Sequence, residues 1–229
     1  MPARWSRTSS GPAAFRKKGL GSVSGVPNDR AGSGSQGIAL DEADLLRARL
    51  WSLLGTLLAR PPSAELLSQL SGLSGDASPL GQALSALAAA AAATEERRAE
   101  REYHNLFIGV ARGELVPYAS FYLTGFLNEK PLARLRGDMA DLGIARAEGA
   151  SDPEDHIASI SEMMAGLIAG DFAVPLARQN QFFTRHIAPW AGRFFSDLEQ
   201  AGEAAFYRPL GTVGRLFVEI EAEAYRLAA

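Results

Sequence analysis

Cysteine is absent from the 229-residue sequence. Its absence excludes disulfide bonds, thiolate nucleophiles, iron–sulfur ligation and cysteine-based zinc sites. A chain without disulfides is typical of a reducing compartment, so we expect a cytoplasmic protein. Apolar residues make up 47% of the chain, which is long enough to bury one substantial core without covalent cross-links.

Long apolar runs are also missing. The densest run, LWSLLGTLLA at residues 50–59, is about half of the ~20 residues that a membrane-spanning helix needs, so we expect no membrane insertion. The first 40 residues contain neither the apolar centre of a secretory signal nor paired arginines ahead of such a centre. We therefore do not expect an export signal in this segment.

The two signs of charge are distributed unevenly. Residues 1–40 contain six Lys and Arg against one Asp, whereas residues 41–229 contain 17 Lys and Arg against 25 Asp and Glu. The first segment therefore carries +5 and the remainder −8, although the whole chain carries only −3. An acidic body repels phosphates, so nucleic acid is not an expected partner. Residues 1–40 are rich in Gly, Ser and Pro, and we predict that they form a disordered low-complexity tail.

From residue 41 onward the hydrophobic spacing is helical. Apolar side chains recur every three or four residues, and no segment shows the sustained alternation of a half-buried strand. We therefore predict an all-α fold, a compact bundle of about nine to ten helices in two packed groups. Gly143 is a natural stop for the helix before the main internal loop, and the last helix is predicted over residues 212–227. The predicted division is an N-terminal helical group at 41–145, a connecting loop at 146–152 and a C-terminal helical group at 153–229.

Sequence motifs of catalysis are missing as well. No G-x-x-x-x-G-K-[ST] phosphate loop, H-E-x-x-H pair or G-x-S-x-G elbow occurs. His104, His156 and His186 are far apart in sequence, so a histidine metal site would have to be assembled by folding alone. We predict no catalytic residue, no metal site and no cofactor. We interpret His104 as a helix-surface residue and His186 as a core residue.

The stretch DPEDHIASISEMM, which begins at Asp152, combines a helix start with a histidine that the helix start does not explain. Proline is favoured at the first helical position, which makes Asp152 the predicted N-cap of a helix beginning at Pro153. Glu154 and Asp155 then lie in the first turn, where carboxylates meet the positive end of the helix dipole. His156 gains nothing from this position, because an imidazolium there opposes the dipole.

Three parts of the chain share a pattern in order and spacing. EYHNLFIG at residues 102–109 and PYASFY at residues 117–122 match E-Y-x-x-L-F-x-G followed by P-[aromatic]-x-S-x-[aromatic]. PEDHIA at residues 153–158 matches P-x-D-H-I-A, and FFTRHIAPW at residues 182–190 matches F-x-x-x-H-[apolar]-x-P-W. Together they resemble the TorD/DmsD family of cytoplasmic chaperones, which mature molybdenum-containing redox enzymes. The likeness runs from about residue 41 to the C-terminus.

The resemblance implies a non-enzymatic helical protein whose two groups of helices meet at the P-x-D-H segment. Such chaperones bind the twin-arginine signal peptide of a molybdenum-containing oxidoreductase, or its catalytic subunit, and delay export until the cofactor is inserted. The implied partner is therefore that catalytic subunit with its signal peptide. The chain itself is expected to be a monomer or a homodimer.

The resemblance also implies a signal-peptide site, in which Asp155 and His156 line the groove. Tyr118 occupies the family's aromatic position, and Gly143 lies near the groove. An acidic body attracts a cationic peptide, and Asp155 can give an arginine a charge-assisted partner. We further expect Asp155 to favour the protonated form of His156. The full implied set is Tyr118, Tyr122, Gly143, Pro153, Glu154, Asp155 and His156.

Two alternatives stay open at this point. The first is an assembly chaperone for a redox subunit that is not exported, as in the related nitrate reductase assembly proteins. It differs from the leading hypothesis in one observable feature, which is whether the partner carries two adjacent arginines before an apolar run. The second is a weak guanine-nucleotide hydrolase, although the sequence offers no phosphate loop for it.

Overall fold

The structure, a computed structural model, describes residues 15–17, 41–110, 112–147 and 152–228. Helices dominate this part of the chain, which confirms the predicted all-α bundle. The α-helices described are α1 (Glu42–Ala59), α2 (Ala64–Ser71), α3 (Pro79–Ala92), α4 (Glu96–Tyr103), α5 (Ala119–Thr124), α6 (Lys130–Asp141), α7 (Ile157–Ala169), α8 (Leu176–His186), α9 (Ala191–Gln200) and α10 (Tyr207–Leu227). A short π-helix, His104–Ile108, follows α4 directly. Within the ranges described, no helix is both long and apolar enough to span a membrane.

Three of the helices begin at polar residues that cap them. Asp41, Ser63 and Ser78 each accept a hydrogen bond from the backbone N–H three residues further on, at 2.7, 3.3 and 3.1 Å. These bonds satisfy N–H groups that the first turn of a helix leaves without a partner. Pro79 follows Ser78 at the first helical position, where its missing N–H costs nothing.

One hydrophobic core joins helices from both predicted groups. α1 lies along α7 and α3 lies along α10, so each pair combines one helix from residues 41–145 with one from residues 153–229. Gly55 of α1 allows the close approach to α7, since a Cβ there would lie 3.2 Å from the carbonyl oxygen of Ala158. The two groups of helices therefore share their interior in the part of the chain that the structure describes.

Glu102, in the EYHNLFIG segment, caps the start of α10 from a distant part of the chain. Its carboxylate accepts hydrogen bonds from the N–H groups of Ala205, Phe206 and Tyr207, at 2.8, 3.1 and 2.8 Å. This cap explains why α10 begins at Tyr207, ahead of the predicted start at residue 212. Hydrophobic spacing did not reveal the first turn, because its N–H groups are satisfied by a residue from another helix.

A short antiparallel sheet lies outside the helical pattern. It pairs β1 (Phe15–Lys17) with β2 (Ile144–Arg146). Gly143, whose φ is +69°, ends the turn after α6 and leads the chain into β2. Apart from β1, the predicted disordered tail lies outside the described residues, as do residues 148–151 of the predicted connecting loop.

Candidate functional site

The PEDH segment precedes α7 instead of forming its first turn. α7 begins at Ile157, and the His156 N–H donates to the Pro153 carbonyl at 3.1 Å to close a turn. His156 is the N-cap, because its Nδ1 accepts a hydrogen bond from the Ala158 N–H at 3.1 Å. The predicted cap at Asp152 is therefore wrong, since the imidazole supplies the acceptor that the first turn requires.

Backbone hydrogen bonds hold the PYASFY and PEDH segments together. Tyr118 and His156 form an isolated antiparallel bridge, and beside it the Ala119 N–H donates to the Asp155 carbonyl at 3.0 Å. The rings of Tyr118 and His156 meet edge to face, with their centroids 4.9 Å apart. Two of the segments that carry the resemblance therefore form one local structure.

His156 is buried and uncharged in this arrangement. Only 6% of its surface is exposed. Burial lowers its pKa to about 4, and the nearby carboxylates of Asp152 and Asp155 only partly oppose this shift. The expectation that Asp155 favours a protonated His156 is therefore wrong, because the cost of burying the imidazolium exceeds that attraction. Since Nδ1 accepts a hydrogen bond, the neutral ring carries its proton on Nε2.

Asp155 presents one carboxylate oxygen that the fold does not use. The residue is buried, with 1% of its surface exposed. Its Oδ2 accepts a hydrogen bond from the Ser120 N–H at 2.8 Å, so the carboxylate fastens the start of α5 to the PEDH segment. Its Oδ1 accepts no hydrogen bond from the described part of the chain. A buried carboxylate oxygen without a donor is costly, so Oδ1 is well suited to receive the N–H group of a ligand.

Asp155 lines a small cavity between α5, α6, α7 and α8. The cavity volume is about 30 Å³, which is room for a water molecule or the end of one side chain. Sequence reasoning missed Arg134, because nothing in the sequence distinguishes it from other arginines on an exposed helix face. The other lining residues used below are Leu123, Pro131, Leu135, Arg185 and His186.

A network centred on Asp138 neutralises the charge on one side of the cavity. Asp138 accepts hydrogen bonds from Arg185 Nη1 with both oxygens, at 2.9 Å each, and lies 2.6 Å from Nε2 of His186. Burial opposes the ionisation of Asp138, but hydrogen bonds from His186 and Arg185 outweigh it and lower its pKa. Burial also lowers the pKa of His186, so this ring is neutral and donates from Nε2. His186 is thus a satisfied core histidine, as its sequence position suggested.

Glu154 and Pro153 are engaged within the fold. Arg136 holds Glu154, because its Nε and Nη2 both donate to Oε2, at 3.0 and 2.8 Å. Burial opposes the ionisation of Glu154, but the hydrogen bond from Arg136, a backbone hydrogen bond and the charges of Arg136 and Arg146 together outweigh it and lower the pKa. Pro153 is half-buried and supplies the carbonyl that closes the turn. Both predicted site residues therefore fix the shape of the PEDH segment.

Asp155 is the one predicted site residue that lines the cavity, and Tyr122 and Gly143 lie apart from it. Tyr122 contacts α9, where its hydroxyl donates to Asp197 at 2.9 Å and its ring packs against Trp190 with centroids 5.4 Å apart. Gly143 lies at the turn between α6 and β2, and no atom lies within 4 Å of a Cβ built there. The structure therefore unites Tyr118 with the PEDH segment and directs Tyr122 toward α9.

An exposed apolar patch begins at the cavity. It consists of Leu123, Phe126 and Leu127, which are 43%, 70% and 47% exposed. Leu123 also lines the cavity, so the patch adjoins the cavity that Asp155 lines. Gly125, whose φ is +83°, ends α5 and turns the chain so that Phe126 and Leu127 remain outside the core. Their sequence signal, two apolar residues directly after a turn glycine, is weak because such residues are often buried.

The remaining histidine, His104, lies exposed on the π-helix, which agrees with its interpretation as a helix-surface residue. No group of His, Asp or Glu side chains in the described ranges could hold a metal ion. What this site offers a ligand is a carboxylate acceptor, a cavity wall of mixed charge and an adjoining apolar surface.

Comparisons with known proteins place this site within a matched region. A family model described as nitrate reductase delta subunit matches residues 74–196. The Vibrio cholerae protein named chaperone protein TorD is 27% identical over 177 residues, which cover 71% of this chain and 80% of the relative. The Salmonella typhimurium protein named Tat proofreading chaperone DmsD is 28% identical over 138 residues, which cover 59% of this chain and 66% of the relative.

A solved structure shows the same fold. It is the crystal structure of a protein from Archaeoglobus fulgidus, described as a redox enzyme maturation protein, and it superposes with a TM-score of 0.52. The match covers 83% of this chain and 99% of the other at 20% identity, so the likeness concerns the fold alone.

Proposed function

Because this chain belongs to the TorD/DmsD family of redox-enzyme maturation chaperones, we propose that it binds the twin-arginine signal peptide of a molybdenum-containing oxidoreductase. In this proposal the chaperone holds the unfinished catalytic subunit in the cytoplasm and delays its export until the cofactor is inserted. A twin-arginine signal peptide joins a cationic end to an apolar stretch, so its receptor needs an acidic acceptor next to an apolar surface.

The observation that carries this proposal is the buried Oδ1 of Asp155, which has no donor from the described chain and belongs to a residue that lines the cavity. An arginine guanidinium supplies charge-assisted N–H donors, and such bonds are strong where water is excluded. The cavity admits the end of one side chain and no larger group. We therefore assign one arginine of the signal peptide to Asp155.

The apolar patch supports the same assignment. Leu123 lines the cavity, while Phe126 and Leu127 extend from it across the surface. An extended peptide with an arginine at Asp155 places its following apolar residues on this patch, where contact removes exposed apolar area from water. Charge adds long-range attraction, because residues 41–229 carry a net charge of −8.

His156 and Tyr118 have a positioning role in this proposal. The backbone bridge and ring contact between them hold the PEDH segment against α5, and Asp155 directly precedes His156. Because His156 is neutral and buried, it orients the carboxylate without contributing charge to the site. Glu154 also supports the turn, because Arg136 donates a hydrogen bond to its carboxylate.

The test is calorimetric titration of a synthetic twin-arginine signal peptide into the full chain and its Asp155→Asn variant. Asparagine keeps an oxygen for the Ser120 N–H but removes the charged acceptor, so affinity should fall about 10- to 100-fold. Asp141→Asn, an exposed carboxylate on α6, makes the same change in net charge and should leave affinity within about twofold. Equal affinities for the Asp155→Asn variant and the parent would place the peptide elsewhere.

A second candidate has support from the family model, which is described as nitrate reductase delta subunit. In that case the client is a redox subunit that is not exported. The two candidates differ in the client's N-terminus, so the protein that co-purifies with this chain from its native cells should be sequenced. Two adjacent arginines before an apolar run support the signal-peptide proposal, and their absence supports the second candidate.

A further inference from the structure

In this structure the chain's own segment Phe15–Lys17 pairs with the edge of β2. We infer that this segment acts as a built-in competitor, which the signal peptide of the client must displace from β2. The inference rests on the proposed function and adds to it a regulatory contact within the chain.

β2 is linked to the chain just before the PEDH segment at one end and is buried at the other. Ile144 is buried, with 4% of its surface exposed, and it follows the turn that ends α6. At the other end, Arg146 Nη2 donates to the Asp152 carbonyl at 2.9 Å. Asp152 immediately precedes the PEDH segment, so this bond links β2 to the start of the turn that carries Asp155.

The contact between β1 and β2 is a backbone contact. The register places Phe15 opposite Arg146, Arg16 opposite Ala145 and Lys17 opposite Ile144. Pairing of this kind uses N–H and C=O groups that every extended segment possesses, so the edge of a strand accepts any chain that can extend along it. Whichever segment is present at the higher effective concentration, or has the better side-chain contacts, occupies the edge.

The resident segment resembles a twin-arginine signal peptide in the order of its charges. Arg16, Lys17 and Lys18 are consecutive cations, and the next ten residues, 19–28, contain no charged side chain. A twin-arginine signal peptide has the same cationic beginning, although its next stretch is apolar and residues 19–28 are rich in Gly and Ser. The tail carries +5 against −8 for the rest of the chain, so the same attraction that favours the client also favours the tail.

Covalent linkage gives the tail a lasting advantage in this competition. A segment that belongs to the same chain as its site has an effective concentration on the order of millimolar, far above that of a client in the cell. Three paired residues form only a short strand, so the tail binds weakly for its length and a matching signal peptide can displace it. The expected consequence is discrimination, in which basic peptides of low affinity are excluded and a true signal peptide is admitted.

The experiment compares three full-length proteins, the parent, Arg16→Pro with Lys17→Pro, and Arg16→Ala with Lys17→Ala. In an antiparallel ladder, consecutive residues alternate in bonding to the partner strand, so two adjacent prolines remove a ladder bond in either phase. The alanine pair removes the same two charges and keeps both N–H groups, which makes it the matched control. Binding of a fluorescent twin-arginine signal peptide is measured by anisotropy, and backbone protection of residues 144–146 by hydrogen exchange.

We expect the proline pair to bind the signal peptide about fivefold more tightly than the parent, with the alanine pair in between. Protection of residues 144–146 should be lost in the proline pair and restored when the signal peptide binds. Normal binding to the parent with equal or weaker binding to the proline pair overturns the competition and leaves the proposed function intact. Absence of binding to all three proteins overturns the proposed function itself.

Discussion

The ring of Tyr118 meets the ring of His156 edge to face at 4.9 Å, and the backbones of the same two residues form a bridge. The imidazole also caps α7 through Nδ1, so one histidine joins α5, the PEDH turn and the first turn of α7. The cap requires the neutral ring, because protonation of Nδ1 replaces the acceptor with a donor. The geometry of Asp155, the next residue back along the chain, therefore depends on the protonation of His156.

We expect His156 to make the fold less stable in acid. Its pKa is about 4 in the fold against 6.5 in the unfolded chain, so the unfolded state binds more protons between these pH values. The stability that neutral His156 provides is complete above its unfolded pKa. It is lost as the pH falls toward 4, by about 3 kcal/mol in total. Urea unfolding followed by circular dichroism across this window measures the free energy of unfolding at each pH.

His156→Asn is the matched control for this prediction. The Asn side-chain oxygen occupies a position similar to Nδ1 and is a favoured N-cap acceptor, but it does not titrate. The variant should lose this component of the acid dependence, while other titrating groups contribute equally to both proteins. If the two proteins lose stability in parallel between pH 6.5 and about 4, His156 is not the responsible group.

Glu102→Gln should destabilise the protein through the start of α10. The carboxylate is buried and accepts three backbone N–H groups, whereas an amide presents only one acceptor oxygen and adds two donors. We expect a loss of about 2–4 kcal/mol in the free energy of unfolding, measured with urea. Glu114→Gln is the control, because Glu114 accepts the N–H groups of Gly202 and Glu203 at an exposed position. Glu114→Gln should lower the free energy of unfolding by less than about 1 kcal/mol. Equal losses in the two variants would show that burial of the carboxylate does not determine the cost.

The helices were predictable from sequence because hydrophobic spacing and capping residues are local signals. Ser63 and Ser78 begin their helices where the pattern of apolar residues begins. The start of α7 was not predictable in this way, since Pro153 favours an earlier helix start. A tertiary contact determines where α7 begins, because the bridge to Tyr118 keeps the backbone of His156 extended, with ψ of 139°.

The candidate site was predictable only in part, for a similar reason. Resemblance named Asp155 and Tyr118, and the structure joins their segments through backbone hydrogen bonds that no spacing rule contains. Arg134 carries no local signal and Phe126 only a weak one, since their importance comes from their place beside the cavity. The strand Ile144–Arg146 is too short to show alternation, and its partner lies far away in sequence.

Arg134→Gln should strengthen binding of the signal peptide. Arg134 lines the same cavity as Asp155, and its charge repels an incoming guanidinium, whereas Arg185 on the same wall is paired with Asp138. Removing this repulsion should raise affinity about threefold at low salt, and the gain should shrink as salt is added. Arg98→Gln on α4, which does not line the cavity, is the control for net charge. Weaker binding by Arg134→Gln would show that this residue contacts the peptide favourably.

Phe126→Ser should weaken the binding of the signal peptide without weakening the fold. Phe126 is 70% exposed, so its removal exposes little of the core, but it takes away the largest side chain of the apolar patch. We expect a loss of about 3- to 10-fold in affinity by calorimetry, with a less negative heat-capacity change on binding because less apolar area is buried. Leu227→Ser is the control, since Leu227 is 72% exposed at the end of α10 and lies outside the patch. Because the two substitutions differ chiefly in location, equal affinities would place the apolar stretch of the peptide away from Phe126.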